Sequence, residues 1–156
     1  MFPLPLPPLR RLFDAADLWS KFEHGKIERR LKALERRFPQ IRWSLYSMDA
    51  GDVANLRLFG FWLLNASPLA EGETEEQRAW TILVVFNGAS GKVALVPGYG
   101  VEPWVSDDQW QRALSSMQER WSRGKRWSAL SRFFDAAEVV LRSAYTRVRR
   151  QLRRES

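Results

Sequence analysis

The stretch Trp80–Asp107, WTILVVFNGASGKVALVPGYGVEPWVSD, decides the fold of this chain. Its first seven residues form a continuous apolar run rich in β-branched side chains, which predicts a strand buried on both faces. The turn residues NGASG follow, and the alternating positions Val93, Leu95 and Pro97 predict a second strand. The stretch therefore predicts an antiparallel hairpin.

The residues after the hairpin predict a loop and then a helix. Two glycines flank Tyr99, which indicates either a positive φ or a close approach of the backbone to a neighbour. The sequence Ser-Asp-Asp-Gln from Ser106 to Gln109 fits a capping box and marks a helix start. Gly124 marks the end of that helix.

Apolar spacing predicts the remaining elements. Helices are expected at 25–38, 53–64 and 127–152 and a strand at 41–48, with a turn at 49–52 and a mobile, acidic, solvated loop at 66–77. The order is helix, strand, helix, strand, strand, helix, helix. This order favours a single-domain, three-layer α/β/α sandwich with a small mixed sheet.

Length and composition exclude several classes of protein. A chain of 156 residues that is 45% hydrophobic and 28% charged can form one globular domain. It has no cysteine, which excludes disulfide scaffolds, thiol nucleophiles and Cys-ligated metal centres. Its single histidine, His24, must serve in any Ser-His-Asp triad. We assign His24 no role, because it precedes a helix among charged residues.

The net charge of +7 comes from the last quarter of the chain. Residues 1–118 carry fourteen basic and fourteen acidic side chains, whereas residues 119–156 carry eleven and four. Such a basic segment suits an anionic lipid surface, a nucleic acid or an acidic protein, or else is a solvated helix face. The candidate residues for an anionic surface are Arg142, Arg147, Arg149, Arg150, Arg153 and Arg154.

The amino-terminal segment Met1–Arg11, MFPLPLPPLRR, predicts an extended arm. Its four prolines are incompatible with a helix. The basic residues follow the apolar stretch, which is the wrong order for a signal peptide, and no apolar run is long enough to span a bilayer. As written, the sequence predicts a cytoplasmic protein. We expect an arm over 1–13, a domain over 14–145 and a basic helix end over 146–156.

The segment Val93–Asp107 resembles the signature of the TPM domain family, a glycine-tyrosine-glycine, an acid two residues later and a Thr/Ser-Asp pair that opens a helix. Glu102 supplies the acid, and Ser106 and Asp107 supply the pair. The aromatic-x-x-glycine of Trp121–Gly124 and the order of elements are similar to the family as well. The resemblance covers roughly residues 14–145.

The resemblance implies an α/β/α sandwich more strongly than it implies a function. Family members are usually exported and tethered to a membrane, so the resemblance favours a cell-envelope or lumenal location. Some members are described as acid phosphatases, calcium is associated with the acidic loop, and others act as binding or assembly modules. This chain has Arg78-Ala79-Trp80 where the family has Asn-Gly before the central strand, and its hairpin turn lacks the family's aspartate.

We therefore expect a non-enzymatic binding or assembly module whose partner is a protein or an anionic membrane. A metal-dependent phosphatase using the same loop is the first alternative, and nucleic-acid binding through the basic helix is the second. At most weak Ca²⁺ binding is expected, with Asp14 or Asp17 as an additional ligand. Acids in a first helical turn also have a purely structural explanation, because they stabilise the helix dipole. The binding loop comprises Gly98, Tyr99, Gly100, Glu102, Trp104 and Ser106, and the metal candidates are Glu102, Asp107 and Asp108.

Overall fold

The computed structural model describes Leu6 and residues 8–49 and 55–155. Their elements are β1 (Leu12–Asp14), α1 (Lys21–Arg37), β2 (Arg42–Met48), α2 (Leu56–Ala66), α3 (Glu75–Ala79), β3 (Thr81–Asn87), β4 (Val93–Pro97), α4 (Asp107–Ser122) and α5 (Arg126–Glu155). They fall into two compact units, one ending at Gly100 and the other beginning at Val101. The α/β class with a small mixed sheet is confirmed.

The sheet has the strand order β1-β2-β3-β4. β1 pairs with β2 and β2 with β3 in parallel, because helical crossovers connect them, whereas the hairpin makes β4 antiparallel to β3. Every residue of β3 is buried, as the apolar run predicts. The edges are short: β1 has three residues, and the five residues of β4 end at Pro97.

The two faces of the sheet bury alternate residues. One face carries Tyr46, Leu83, Val85 and Val96 and packs against α2. On the other face, the ring of Phe86 meets Trp19 edge to face at 5.6 Å. The alternation of the sequence thus becomes a core on both sides of the sheet.

Helix α1 begins four residues earlier than the apolar stripe alone predicts. The Ser20 hydroxyl accepts the Glu23 N–H at 3.1 Å, and a Glu23 carboxylate oxygen accepts the Ser20 N–H at 2.9 Å. This capping box fixes the start at Lys21. The predicted stripe of Ile27, Leu31 and Leu34 is buried, and α1 contacts β1 and β2.

The second unit is a pair of helices packed on each other. Trp110, Ala113 and Met117 are the buried stripe of α4, and α5 buries Leu130 and Phe134 among others. Gly124 has a φ of 77°, which suits the turn between the two helices. The predicted capping box at Ser106 and the long last helix are both present.

Two elements correct the sequence analysis. Strand β1 was not predicted, and the stretch expected to be a loop over 66–77 contains the start of α3, which Thr74 caps with Gln77. The predicted turn at 49–52 and the predicted helix start at Val53 lie mostly outside the described residues. Within the described ranges, no helix has the combination of length and apolar character that a membrane span requires.

Candidate functional site

The glycines of the Gly-Tyr-Gly segment are explained by close backbone approach and not by a positive φ. The Gly98 N–H donates to the Thr81 carbonyl at 2.7 Å, and the Gly100 N–H donates to the Ala79 carbonyl at 2.8 Å. A Cβ on Gly98 would lie 2.3 Å from the Ala79 oxygen. A Cβ on Gly100 would lie 2.8 Å from the Trp80 ring. Both glycines thus have a structural role.

The side chains of the predicted binding loop are divided between the two units. Tyr99 is 70% exposed and belongs to the first unit. Glu102, which is exposed, and Trp104, which is half-buried, belong to the second. The exposed tyrosine ring is available to a partner, and its binding role stays a prediction.

The acidic residues after the loop form the start of α4. The Ser106 hydroxyl accepts the Gln109 N–H at 3.2 Å, and the Gln109 side-chain oxygen accepts the Ser106 N–H at 3.0 Å. Asp107 and Asp108 are exposed in the first turn, where negative charge stabilises the helix dipole. Among the described residues, no three His, Asp or Glu side chains are grouped so as to hold a metal, and metal binding by Glu102, Asp107 and Asp108 stays a prediction.

Arg147 connects the loop to α5 within the second unit. Its guanidinium donates a hydrogen bond to the Trp104 carbonyl, forty-three residues away in the chain. Arg142 instead pairs with Glu138 at 3.6 Å on the same helix. The partners of Arg142 and Arg147 therefore explain part of the presence of these two arginines.

The end of α5 is a basic helix that continues after the buried stripe. Ala144 is its last buried residue, yet the helix runs on to Glu155. At about 100° per residue, the six candidate arginines lie within an arc of roughly 160°. The opposite side carries the end of the stripe, where Val148 is half-buried and Leu152 is 61% exposed.

A polar cluster that sequence analysis missed lies at the carboxyl ends of β1 and β2. Asp14, whose side chain is 3% exposed, receives the Ser47 hydroxyl at 2.5 Å and lies 2.9 Å from Nε2 of His24. Its carboxylate also accepts the backbone N–H groups of Leu18 at 2.9 Å and Trp19 at 3.1 Å. The cluster thus fixes the connection from β1 to α1.

The order of contacts in this cluster excludes a Ser-His-Asp triad. In such a triad the imidazole lies between the hydroxyl and the carboxylate, so that it can take the serine proton. Here the carboxylate of Asp14 lies between Ser47 and His24. The hydroxyl therefore donates to an acid and is not activated by the imidazole.

The same contacts determine the ionisation of Asp14. Burial raises the pKa of this carboxyl, but the hydrogen bonds from Ser47, His24, Leu18 and Trp19 lower it. The net result is a pKa below the ordinary value of an aspartate. Four hydrogen-bond donors occupy the two carboxylate oxygens of Asp14, so this side chain has a structural role and is a poor metal ligand.

The parallel strands, the hairpin and the two terminal helices define an α/β domain. The sequence model of the TPM domain matches residues 12–140. The chain therefore belongs to the TPM domain family, as the Gly-Tyr-Gly segment predicts, and the matched region extends over both compact units.

Solved structures share the fold. The N-terminal domain of a protein from P. gingivalis has a TM-score of 0.69 at 21% identity, over 85% of this chain and 82% of that one. The BA42 protein from the psychrophilic bacterium Bizionia argentinensis has a TM-score of 0.61 at 12% identity, over 84% and 86%. A search of curated proteins found no match.

Proposed function

We propose that this TPM domain is a non-enzymatic binding module that docks on an anionic phospholipid surface through the end of α5. The observation that carries the proposal is the eleven-residue continuation of the helix from Tyr145 to Glu155. This continuation is about 16 Å long and has no buried residue. Because this part of the helix buries no residue, core packing does not explain its length or its basic face, and binding to an anionic surface does.

Three arginines are the main contacts in this proposal. Arg149, Arg150 and Arg154 are exposed, and in the described part of the chain their guanidinium groups have no ion pair or hydrogen bond. Each basic residue near an anionic bilayer contributes about 1 kcal/mol. Together they would contribute about 3 kcal/mol, or roughly two orders of magnitude in affinity.

The apolar side of the same helix end favours a lipid bilayer, and not a purely polar molecule, as the binding partner. Val148 and Leu152 are four residues apart on the side away from the arginines, and Leu152 is exposed. Interfacial helices combine such an apolar stripe with a basic face. Arg147, which donates a hydrogen bond to the Trp104 carbonyl, would fix the position of the loop relative to the docking helix.

Vesicle co-sedimentation tests this proposal. The intact chain should bind vesicles of mixed phosphatidylcholine and phosphatidylserine, bind pure phosphatidylcholine far less, and dissociate as salt is added. The variant R149Q/R150Q/R154Q should lose about a hundredfold in affinity. The control R29Q/R36Q/R132Q removes three exposed arginines elsewhere and the same net charge.

Two outcomes would refute the proposal. If the control loses as much affinity as the α5 variant, the attraction is a general effect of net charge and not of this helix. If the intact chain prefers single-stranded RNA or DNA to the vesicles at equal salt, nucleic-acid binding replaces the membrane surface as the function of these arginines.

A further inference from the structure

A second surface, independent of α5, lies in the first unit at the amino-terminal ends of the sheet strands. A pocket of about 390 Å³ opens there, beside the starts of β2 and β3. It lies at the opposite end of the strands from the Asp14 cluster. Its lining includes the apolar residues Leu9, Pro39 and Ala70, which are half-buried or exposed, and the buried Ile41 and Trp43.

Three arginines line this pocket, and for two of them the described part of the chain supplies no partner to the guanidinium. Arg11 donates through Nε to Glu35 at 2.6 Å. For Arg10 and Arg42, both exposed, the described residues offer no ion pair or hydrogen bond to the guanidinium. Of the two acids in the lining, Glu35 is paired with Arg11, whereas Glu73 accepts only the neutral Ala70 N–H at 3.4 Å and keeps its charge. Three arginines against two carboxylates leave the lining with a net positive charge.

The backbone beneath these arginines is held by the sheet. The Ser44 hydroxyl donates to the Arg10 carbonyl at 2.6 Å, and the Leu45 N–H donates to the Arg11 carbonyl at 2.8 Å. The Arg42 N–H donates to the Trp80 carbonyl at 3.0 Å. The arginine side chains thus start from fixed positions, which lowers the entropic cost of binding.

We propose that this pocket binds a small organic anion that carries a phosphate-like or carboxylate head on an apolar body. The planar guanidinium groups of Arg10 and Arg42 match the oxygens of such a head. The accessible apolar side chains of the lining, Leu9, Pro39 and Ala70, would contact the body, and the volume is that of a small-molecule site. The proposal does not depend on membrane docking, because none of its residues lies on α5.

Titration of the full chain with phenylphosphonate, benzoate and inorganic phosphate tests the proposal. Phenylphosphonate is not hydrolysed, so the measurement reports binding alone. We expect saturable binding of phenylphosphonate or benzoate and at least tenfold weaker binding of inorganic phosphate, which lacks the apolar body. R42Q and R10Q should each weaken binding about tenfold, whereas R29Q, at an exposed arginine outside the pocket, should not.

The matched variants make the result decisive. Arg10 and Arg42 are exposed, so R10Q and R42Q should unfold at the same temperature as the parent chain. Thermal unfolding of each variant checks that a loss of binding is not a loss of fold. Absence of saturable binding to the intact chain would overturn the proposal. An equal loss in R29Q would also overturn it, since the attraction would then be non-specific. Inorganic phosphate binding as tightly as both organic anions would eliminate the role of the apolar lining.

Discussion

Replacing Gly98 by alanine should destabilise the first unit severely. The new Cβ would lie 2.3 Å from the Ala79 oxygen and 2.9 Å from the Arg78 oxygen, both of which are backbone atoms. Relief requires a separation of roughly 1 Å, which would disrupt the Gly98 N–H bond to Thr81. The same shift would disturb the bond from Gly100 to Ala79.

The magnitude follows from these contacts. Each lost hydrogen bond costs about 1 kcal/mol, and the steric strain adds about 1–3 kcal/mol. The total of about 3–5 kcal/mol is a large share of a typical free energy of unfolding. We expect Tm to fall by about 10 °C for a chain of this length.

Gly25→Ala is the matched control, because it makes the same chemical change in an open position. Gly25 lies inside α1, and its added Cβ would meet only Arg29 Nη1, at 3.8 Å. Alanine is favoured over glycine in a helix, so this variant should gain about 0.5–1 kcal/mol. Thermal unfolding followed by circular dichroism measures both variants. If Gly98→Ala unfolds within about 2 °C of the parent chain, the close-approach argument is wrong.

Lowering the pH below about 5 should destabilise the fold, because the pKa of Asp14 is lowered in the folded state and the unfolded chain takes up this proton first. Asp14→Asn should lower the free energy of unfolding at pH 7 by about 1–3 kcal/mol, and chemical unfolding should then depend less on acid. Deleting Val148–Ser156 should lower Tm by less than about 3 °C, since the described residues there are exposed or half-buried, and a larger fall would make this helix end structural. Calorimetry should detect at most weak Ca²⁺ binding, and a sub-micromolar site abolished by Asp107→Ala would contradict this expectation. Turnover of an aryl phosphate should stay at background; robust activity lost in Asp107→Asn and Asp108→Asn, with the fold intact, would restore the phosphatase alternative.

The sequence predicts the elements that are long enough to show a period. The hairpin, α4 and α5 each repeat their apolar spacing over several turns or strand positions, and all three are present. β1 has three residues and α3 has five, which is too few for either period to appear. For α3 the Thr74–Gln77 capping box was the available signal.

The polar cluster could not be found from spacing. Asp14 and Ser47 are thirty-three residues apart, and they meet because β1 and β2 are parallel and in register at these two positions. Parallel pairing depends on the crossover and leaves no local trace in the sequence. The glycines of the Gly-Tyr-Gly segment are explained by the Ala79 carbonyl and the Trp80 ring, and the binding role of this segment stays a prediction.

The short edges of the sheet restrict how this domain can recognise another protein. Adding a strand from a partner requires a long exposed edge with a row of unpaired main-chain groups. β1 offers three residues, and β4 offers five that end in a proline without an N–H group. Strand exchange between copies and capture of extended peptides are therefore disfavoured at these two edges.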